Sequence, residues 1–238
     1  MTWSITAKDP ATGAFGVAVT TKFFGVGAIC PFAAAGIGAI STQAFVNPTF
    51  GPRGLRLLAE GLSAEQVLNC LIESDEGREH RQLHLIDSQG RVAARTGGEC
   101  IDWNGHRLGE GFSVAGNMLA GEAVVADTFD SFAAGSNQPL AERFLDALDA
   151  GQAAGGDYRG KQSAALLIYT TEDYPCLSLR VDDHTEPLVE LRRLYEESQK
   201  EFTPFMDIMP SRARPAGVYD PQAVNAVLER QRNLADSR

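Results

Sequence analysis

Thr2-Trp-Ser-Ile-Thr-Ala-Lys8, then Asp9-Pro-Ala-Thr-Gly13, then Phe15-Gly-Val-Ala-Val-Thr-Thr-Lys22: the reading of this opening stretch decides the fold. Its first part alternates. Thr2, Ser4 and Thr6 share one face, and Trp3, Ile5 and Ala7 share the other, which is the two-residue period of a strand. The middle part is a turn, because Pro10 fixes φ and Gly13 permits a positive one. A β-hairpin over residues 2–22 follows. It carries a hydroxyl residue directly behind Met1. A chain-terminal threonine has a base built in, its own α-amine, once that Met is removed.

Outward from the hairpin, no charged residue occurs over 23–52. Glycines and Pro31 oppose a buried helix there, so two short strands are expected at about 26–32 and 37–43. A helix follows at about 52–60. Ser63-Ala-Glu-Gln66 reads as a capping box for another, ending near Glu73. Arg81–Asp87 alternates as a half-buried strand and returns through Ser88-Gln-Gly90 into Arg91–Thr96. Residues 97–111 read as loop, and Phe112–Gly116 as a short strand ending at Asn117. Helices at about 121–134, 139–153 and 187–200, with strands Ala164–Thr170 and Cys176–Val181, complete the pattern. Hairpins alternating with helices predict an α+β fold, a layered sandwich of two sheets faced by helices.

Pro204, Pro210, Pro215 and Pro221 change the composition of the C-terminal part. The expected division is a main domain over 1–200 and an appendage over 201–238, with a last helix from 221 to about 232. Phe202, Phe205, Met206, Ile208 and Met209 suit the appendage for docking on the core or on a second subunit, so a homodimer or larger homo-oligomer is expected.

The 31 acidic residues against 21 basic ones, a net charge of −10, argue against partners that need a basic footprint, such as nucleic acid or an anionic membrane. No run of about 18 apolar residues reads as a membrane span, and no signal peptide is evident, so the cytoplasm is the expected location. Cys30, Cys70, Cys100 and Cys176 form no C-x-x-C pair and read as reduced residues. Asp182-Asp183-His184 chelates poorly, because adjacent strand residues point to opposite faces, and His80 and His84 lack an evident carboxylate partner. No metal and no cofactor are expected.

Several motifs together resemble one family. They are Thr2-Trp-Ser-Ile5, Gly16-Val-Ala-Val19, Thr42-Gln-Ala-Phe45, Asn47-Pro48, Gly51-Pro-Arg-Gly54, Asp102-Trp103, Gly116-Asn-Met-Leu119, Gly155-Gly-Asp157, Gln162-Ser-Ala-Ala-Leu166 and Arg180-Val-Asp-Asp-His184. Over about residues 2–195 they resemble the family called domain of unknown function 1028, and more broadly the N-terminal-nucleophile (Ntn) hydrolases, the proteasome-β-like sandwiches. That resemblance implies a four-layer αββα sandwich with Thr2 at the nucleophile position. It implies that Thr20 falls where proteasome-like enzymes carry an aspartate. It sets Gly116-Asn117 at the loop that organises the nucleophile's amine, and Asp157 and Ser163 at the late aspartate and serine. The sequence departs from the pattern at Thr20, and the strand lysine has no counterpart near Gly36; Lys22 is the nearest substitute.

The residue chemistry suggests roles to match. Alternation sets Lys22 on the face of Thr20, where an ammonium lowers a nucleophile's pKa or holds an oxyanion. The glycine-rich loop at 155–163 exposes backbone amides, and Asp157, Arg159 and Gln162 offer carboxylate and amide recognition, with Arg159 suited to a substrate carboxylate. Thr20, Thr42, Gln43 and Asn47 are further substrate-contacting candidates, and Ser41 or Thr42 is the fallback nucleophile. The expected function is an Ntn-type amidohydrolase acting on a small amide or short peptide. The alternative is a catalytically silent binding or assembly protein of the same fold.

Overall fold

The computed structural model describes residues 2–235. Strands β1 (Thr2–Lys8) and β2 (Phe15–Thr21) form the expected antiparallel hairpin, with Trp3 opposite Thr20 and Lys8 opposite Phe15. The second edge of β1 pairs with Phe112–Asn117. The other edge of β2 pairs with Ser163–Tyr169, and two outer strands, Gly105–Gly109 and Leu177–Val181, complete this sheet. The second sheet is built from Pro31–Ala34, Gly38–Ala44, Arg81–Asp87 and Val92–Thr96. In chain order these eight strands are β3 (Pro31–Ala34), β4 (Gly38–Ala44), β5 (Arg81–Asp87), β6 (Val92–Thr96), β7 (Gly105–Gly109), β8 (Phe112–Asn117), β9 (Ser163–Tyr169) and β10 (Leu177–Val181). The six-stranded sheet has the order β10-β9-β2-β1-β8-β7, and the four-stranded one β3-β4-β5-β6.

Helices are α1 (Phe50–Ala59), α2 (Ala64–Glu73), α3 (Glu122–Ala134), α4 (Leu140–Ala153), α5 (Pro187–Lys200), the short α6 (Phe202–Met206) and α7 (Pro221–Ala235). The described residues thus form a mixed fold of two antiparallel sheets and seven helices. No helix among them is long and apolar enough to cross a membrane.

The alternation in β1 explains the packing. Trp3, Ile5 and Ala7 join Val124 and Phe132 of α3, Phe144 and Leu148 of α4 and Leu191 of α5 in one buried cluster. Gly16 lets the Phe144 ring approach; a Cβ there would lie 2.6 Å from Cε2 of that ring. On the other sheet, Ile40, Leu83 and Leu85 pack against Phe50 and Leu58 of α1 and Val67 and Leu71 of α2. A third cluster joins the sheets through Phe15, Val17, Ala33, Ala39 and Ile86. Helix α2 starts at the expected capping box: Ser63 Oγ accepts from the Gln66 N–H at 3.3 Å, and Gln66 Oε1 accepts from the Ser63 N–H at 2.8 Å.

Four elements differ from expectation. The strand expected at 26–32 begins only at Pro31, because left-handed Gly25 (φ 64°) leads into a 3-10 turn at Val26–Ala28. Helix α1 starts two residues early and keeps Pro52 in its first turn, where no intrahelical N–H is needed. Strand β7 lies in the stretch read as loop; a Gly-His-Arg-Leu-Gly edge strand shows no apolar alternation. Strand β5 is buried on both faces instead of half-buried, because the hydroxyl face of β1 covers its polar side.

Beyond α5, the chain turns back onto the β9–β10 connection. Tyr174 Oη donates to the Pro210 carbonyl at 2.6 Å, Arg212 pairs with Asp173 at 2.6 Å, and Ile208 is buried.

Candidate functional site

Thr2 stands at the start of β1, between β2 and β8, and is only 6% exposed. Its hydroxyl donates to Thr21 Oγ1 at 3.2 Å. Its carbonyl accepts from two side-chain amides, Gln43 Nε2 and Asn117 Nδ2, each at 3.4 Å. These two amides converge on Gln82 Oε1, at 2.7 and 2.9 Å. Gln82 is in turn fixed by donation to Gly116 O, Thr96 Oγ1 and Gly105 O at 2.8, 2.9 and 3.1 Å. One glutamine of β5 therefore locks the amides that hold the start of β1.

A polar seam continues from this clamp between the sheets. Ser4 Oγ lies 2.6 Å from Gln43 Oε1, 2.7 Å from His84 Nε2 and 2.8 Å from Ser41 Oγ. His84 Nδ1 reaches Ser113 Oγ at 2.8 Å, and Ser113 reaches Thr6 Oγ1 at 2.8 Å. Burial pushes the His84 pKa down to about 3, with the nearby His106 adding to the effect, so the ring is neutral. Every member of this group is buried, and that pairing keeps its polar atoms satisfied. Sequence reading missed Gln82 and His84. Their signal was polar residues at every second position of β5, in phase with the hydroxyl face of β1.

Thr2 also lines a cavity of about 80 Å³, with Phe23, Val26, Ile29, Cys30, Thr42, Gln43, Ala44 and Val46. Burial raises the Cys30 thiol to about 12, so it is neutral. Ala44, at the end of β4, holds a left-handed φ of 67°, and Met118, just past β8, one of 53°. Both are strained conformations for residues with a side chain.

The structure brings Thr2, Thr42, Gln43 and Asn117 together and sets the other named residues around them. Thr20 pairs with Trp3 and so shares its helix-facing side; its hydroxyl donates to the Ser163 carbonyl at 3.0 Å. The threonine against Thr2 is Thr21, one residue on, because opposed residues of a hairpin share a face. Lys22 is not held on the face of Thr20. It lies past the end of β2, exposed, with its ammonium on the Lys161 carbonyl at 3.2 Å. Asp157, buried, accepts from the Lys22 N–H at 2.7 Å and from the Arg159 guanidinium at 3.2 Å. Ser163 Oγ donates to Phe23 O at 2.5 Å and accepts from Val26 N at 3.2 Å, which fixes the loop that walls the cavity. Gln162 bonds Asp183 Oδ1 at 3.1 Å. Asn47 donates to Asp75 at 3.3 Å; the Arg81 guanidinium beside that carboxylate holds its pKa down at about 2. Ser41 is closed inside the seam. Among the described residues, no group of three His, Cys, Asp or Glu side chains is placed to hold a metal ion.

Comparison with known proteins places this geometry. No curated protein matches the chain. Two distant solved structures are similar: Anbu (ancestral beta-subunit) from Yersinia bercovieri, at 12% identity and TM-score 0.42 over 82% of this chain and 94% of that one, and an Anbu Gly-1 mutant from Hyphomicrobium sp. strain MC1, at 12% and 0.43 over 83% and 94%. Likeness at that level says nothing of chemistry. The crystal structure of protein SPO2555 from Silicibacter pomeroyi is far more similar, with 31% identity and TM-score 0.85 over 92% of this chain and 96% of that one. That structure carries the DUF1028 family label, and the same family model matches residues 2–191 here. The chain belongs to the family of unknown function DUF1028.

Proposed function

We propose that this chain is an Ntn-type amidohydrolase, with its sheets and helices ordered as a four-layer αββα sandwich, acting on a small amide or short peptide. One observation carries the reading: Thr2 lines a cavity while its carbonyl is clamped by Gln43 and Asn117. Removal of Met1 frees the Thr2 amine as general base. Thr2 Oγ1 then adds to the amide carbonyl and its proton passes to that amine. The C–N bond breaks, the proton leaves with the amine product, and water hydrolyses the resulting ester. Asn117 and Gln43 orient Thr2. Ser163 and Asp157 act at one remove, by fixing the Phe23–Val26 loop and the Lys22 backbone. Lys22, Arg159, Gln162, Thr20, Thr42 and Asn47 belong to this reading as rim and supporting residues.

Mass spectrometry of the purified protein, followed by labelling with a β-lactone probe, tests the proposal. The expected result is a chain beginning at Thr2 and a covalent adduct that is lost in Thr2→Ala. Full retention of Met1 sinks the terminal-amine mechanism. A second reading, a binding or assembly protein without catalysis, is favoured by one observation: among the described residues, no charged one lines the cavity. It predicts no adduct even when Met1 is absent.

A further inference from the structure

Among the described residues, no charged side chain lines the cavity at Thr2. Phe23, Val26, Ile29, Ala44 and Val46 present carbon. The polar residues among its walls are engaged elsewhere. Gln43 Nε2 donates to Gln82 Oε1, Ala115 O and Thr2 O, and Gln43 Oε1 accepts from Ser4. The Thr42 hydroxyl donates to the Asn47 carbonyl at 3.2 Å. Cys30 Sγ lies 3.2 Å from Ser41 Oγ, within the seam. A cationic group entering this space loses its water and finds no carboxylate among the described lining residues, and an anionic one finds only the chain's own α-amine, which the reaction needs unprotonated as its base. An aliphatic group entering it gains from leaving water. The size limits the guest as well. About 80 Å³ is well below the ~300–1,000 Å³ of sites that hold drug-sized ligands. Phe23 is 55% exposed, so the cavity has a mouth and is not sealed.

We propose that this cavity receives the acyl-side substituent of the substrate, a short uncharged aliphatic group, and thereby sets the amide carbonyl against the Thr2 hydroxyl. The assignment rests on the reading of Thr2 as nucleophile, and it narrows the substrate to neutral aliphatic amides. Recognition comes from fit and dehydration, with no charged side chain among the described lining residues taking part. Val46, half-buried at the lining, is the residue whose size and charge tune the preference without touching the clamp on Thr2.

Three amides of nearly equal size separate the possibilities: isobutyramide (neutral), alaninamide (cationic) and malonamate (anionic). Their binding is measured by NMR titration on the full chain and on Thr2→Ala. Isobutyramide is expected to bind at least tenfold more tightly than either ion, in both proteins. Val46→Phe, which fills the space, should weaken isobutyramide at least tenfold. Val46→Asp should reverse the preference towards alaninamide. Equal binding of all three amides, no binding of isobutyramide, or insensitivity to both Val46 changes would overturn the assignment. The two proposals fail separately. Charge discrimination without a Thr2 adduct removes the hydrolase reading and keeps the cavity assignment as a binding site. An adduct without discrimination does the reverse.

Discussion

His84 is the residue on which the inter-sheet seam turns, and its protonation state makes stability depend on pH. In the folded chain its pKa sits at about 3, down from 6.5, chiefly through burial. The unfolded chain therefore binds a proton that the folded one refuses. Stability is complete above pH 6.5 and falls as pH drops from there towards 3. At pH 5 the loss from this group is about 2 kcal/mol. Urea unfolding at pH 7.5 and pH 5 should show that fall, and His84→Gln should flatten it; an unchanged slope in the variant would assign the effect to other groups. At this scale the sequence was uneven. Thr2 and Asn117 were named through the family resemblance and Gln43 as a substrate-contacting candidate, and the structure sets the three side by side. Thr21 was not legible, because hairpin register decides which of two adjacent threonines meets Thr2. His84 lacked a carboxylate partner in the sequence, and its actual partners are hydroxyls on β1 and β8, distant along the chain.

Elements were legible where local chemistry fixes them. The capping box of α2 is the clearest case, since both reciprocal bonds form. Ser63→Ala removes one of them and should cost about 1 kcal/mol. Equilibrium urea denaturation measures it; a change below a few tenths would mean that neighbouring contacts take over the cap. The hairpin β1–β2 was legible from its alternation and its Asp-Pro turn. Strand β7 was hidden because an exposed edge strand of Gly, His and Arg carries no burial pattern. The Val26–Ala28 turn was hidden for a different reason. A run of small apolar residues suits a strand and a tight turn alike, and the bond from Val26 N to Ser163 Oγ comes from β9.

For the whole molecule, alternating hairpins and helices announced the mixed fold, while the polar join between the sheets did not show. Hydroxyl residues on alternate positions of β1 look like a solvent face; only the second sheet makes them an interior one. The family match ends at residue 191, and the chain beyond α5 keeps Phe202, Phe205 and Tyr219 exposed. We propose that residues 201–238 form an appendage used for self-association. A chain truncated after Glu201 should keep its sheet signature in circular dichroism and run as a monomer in light scattering, with the full chain running as a dimer or larger. Identical masses per particle for both would refute that role. The arrangement of β1 has one more consequence. Both its edges are paired and its residues from Thr2 to Ala7 are buried, while Lys22, Phe23 and Phe24, just past β2, are exposed, Phe23 at the wall of the cavity. Under deuterium exchange the amides of β1 should be among the last to take up label, opening only when the whole molecule does, and those of Phe23 and Phe24 among the first. Thr2 is thus anchored in the slowest-opening part of the chain, with the exposed Phe23 side chain at the neighbouring wall.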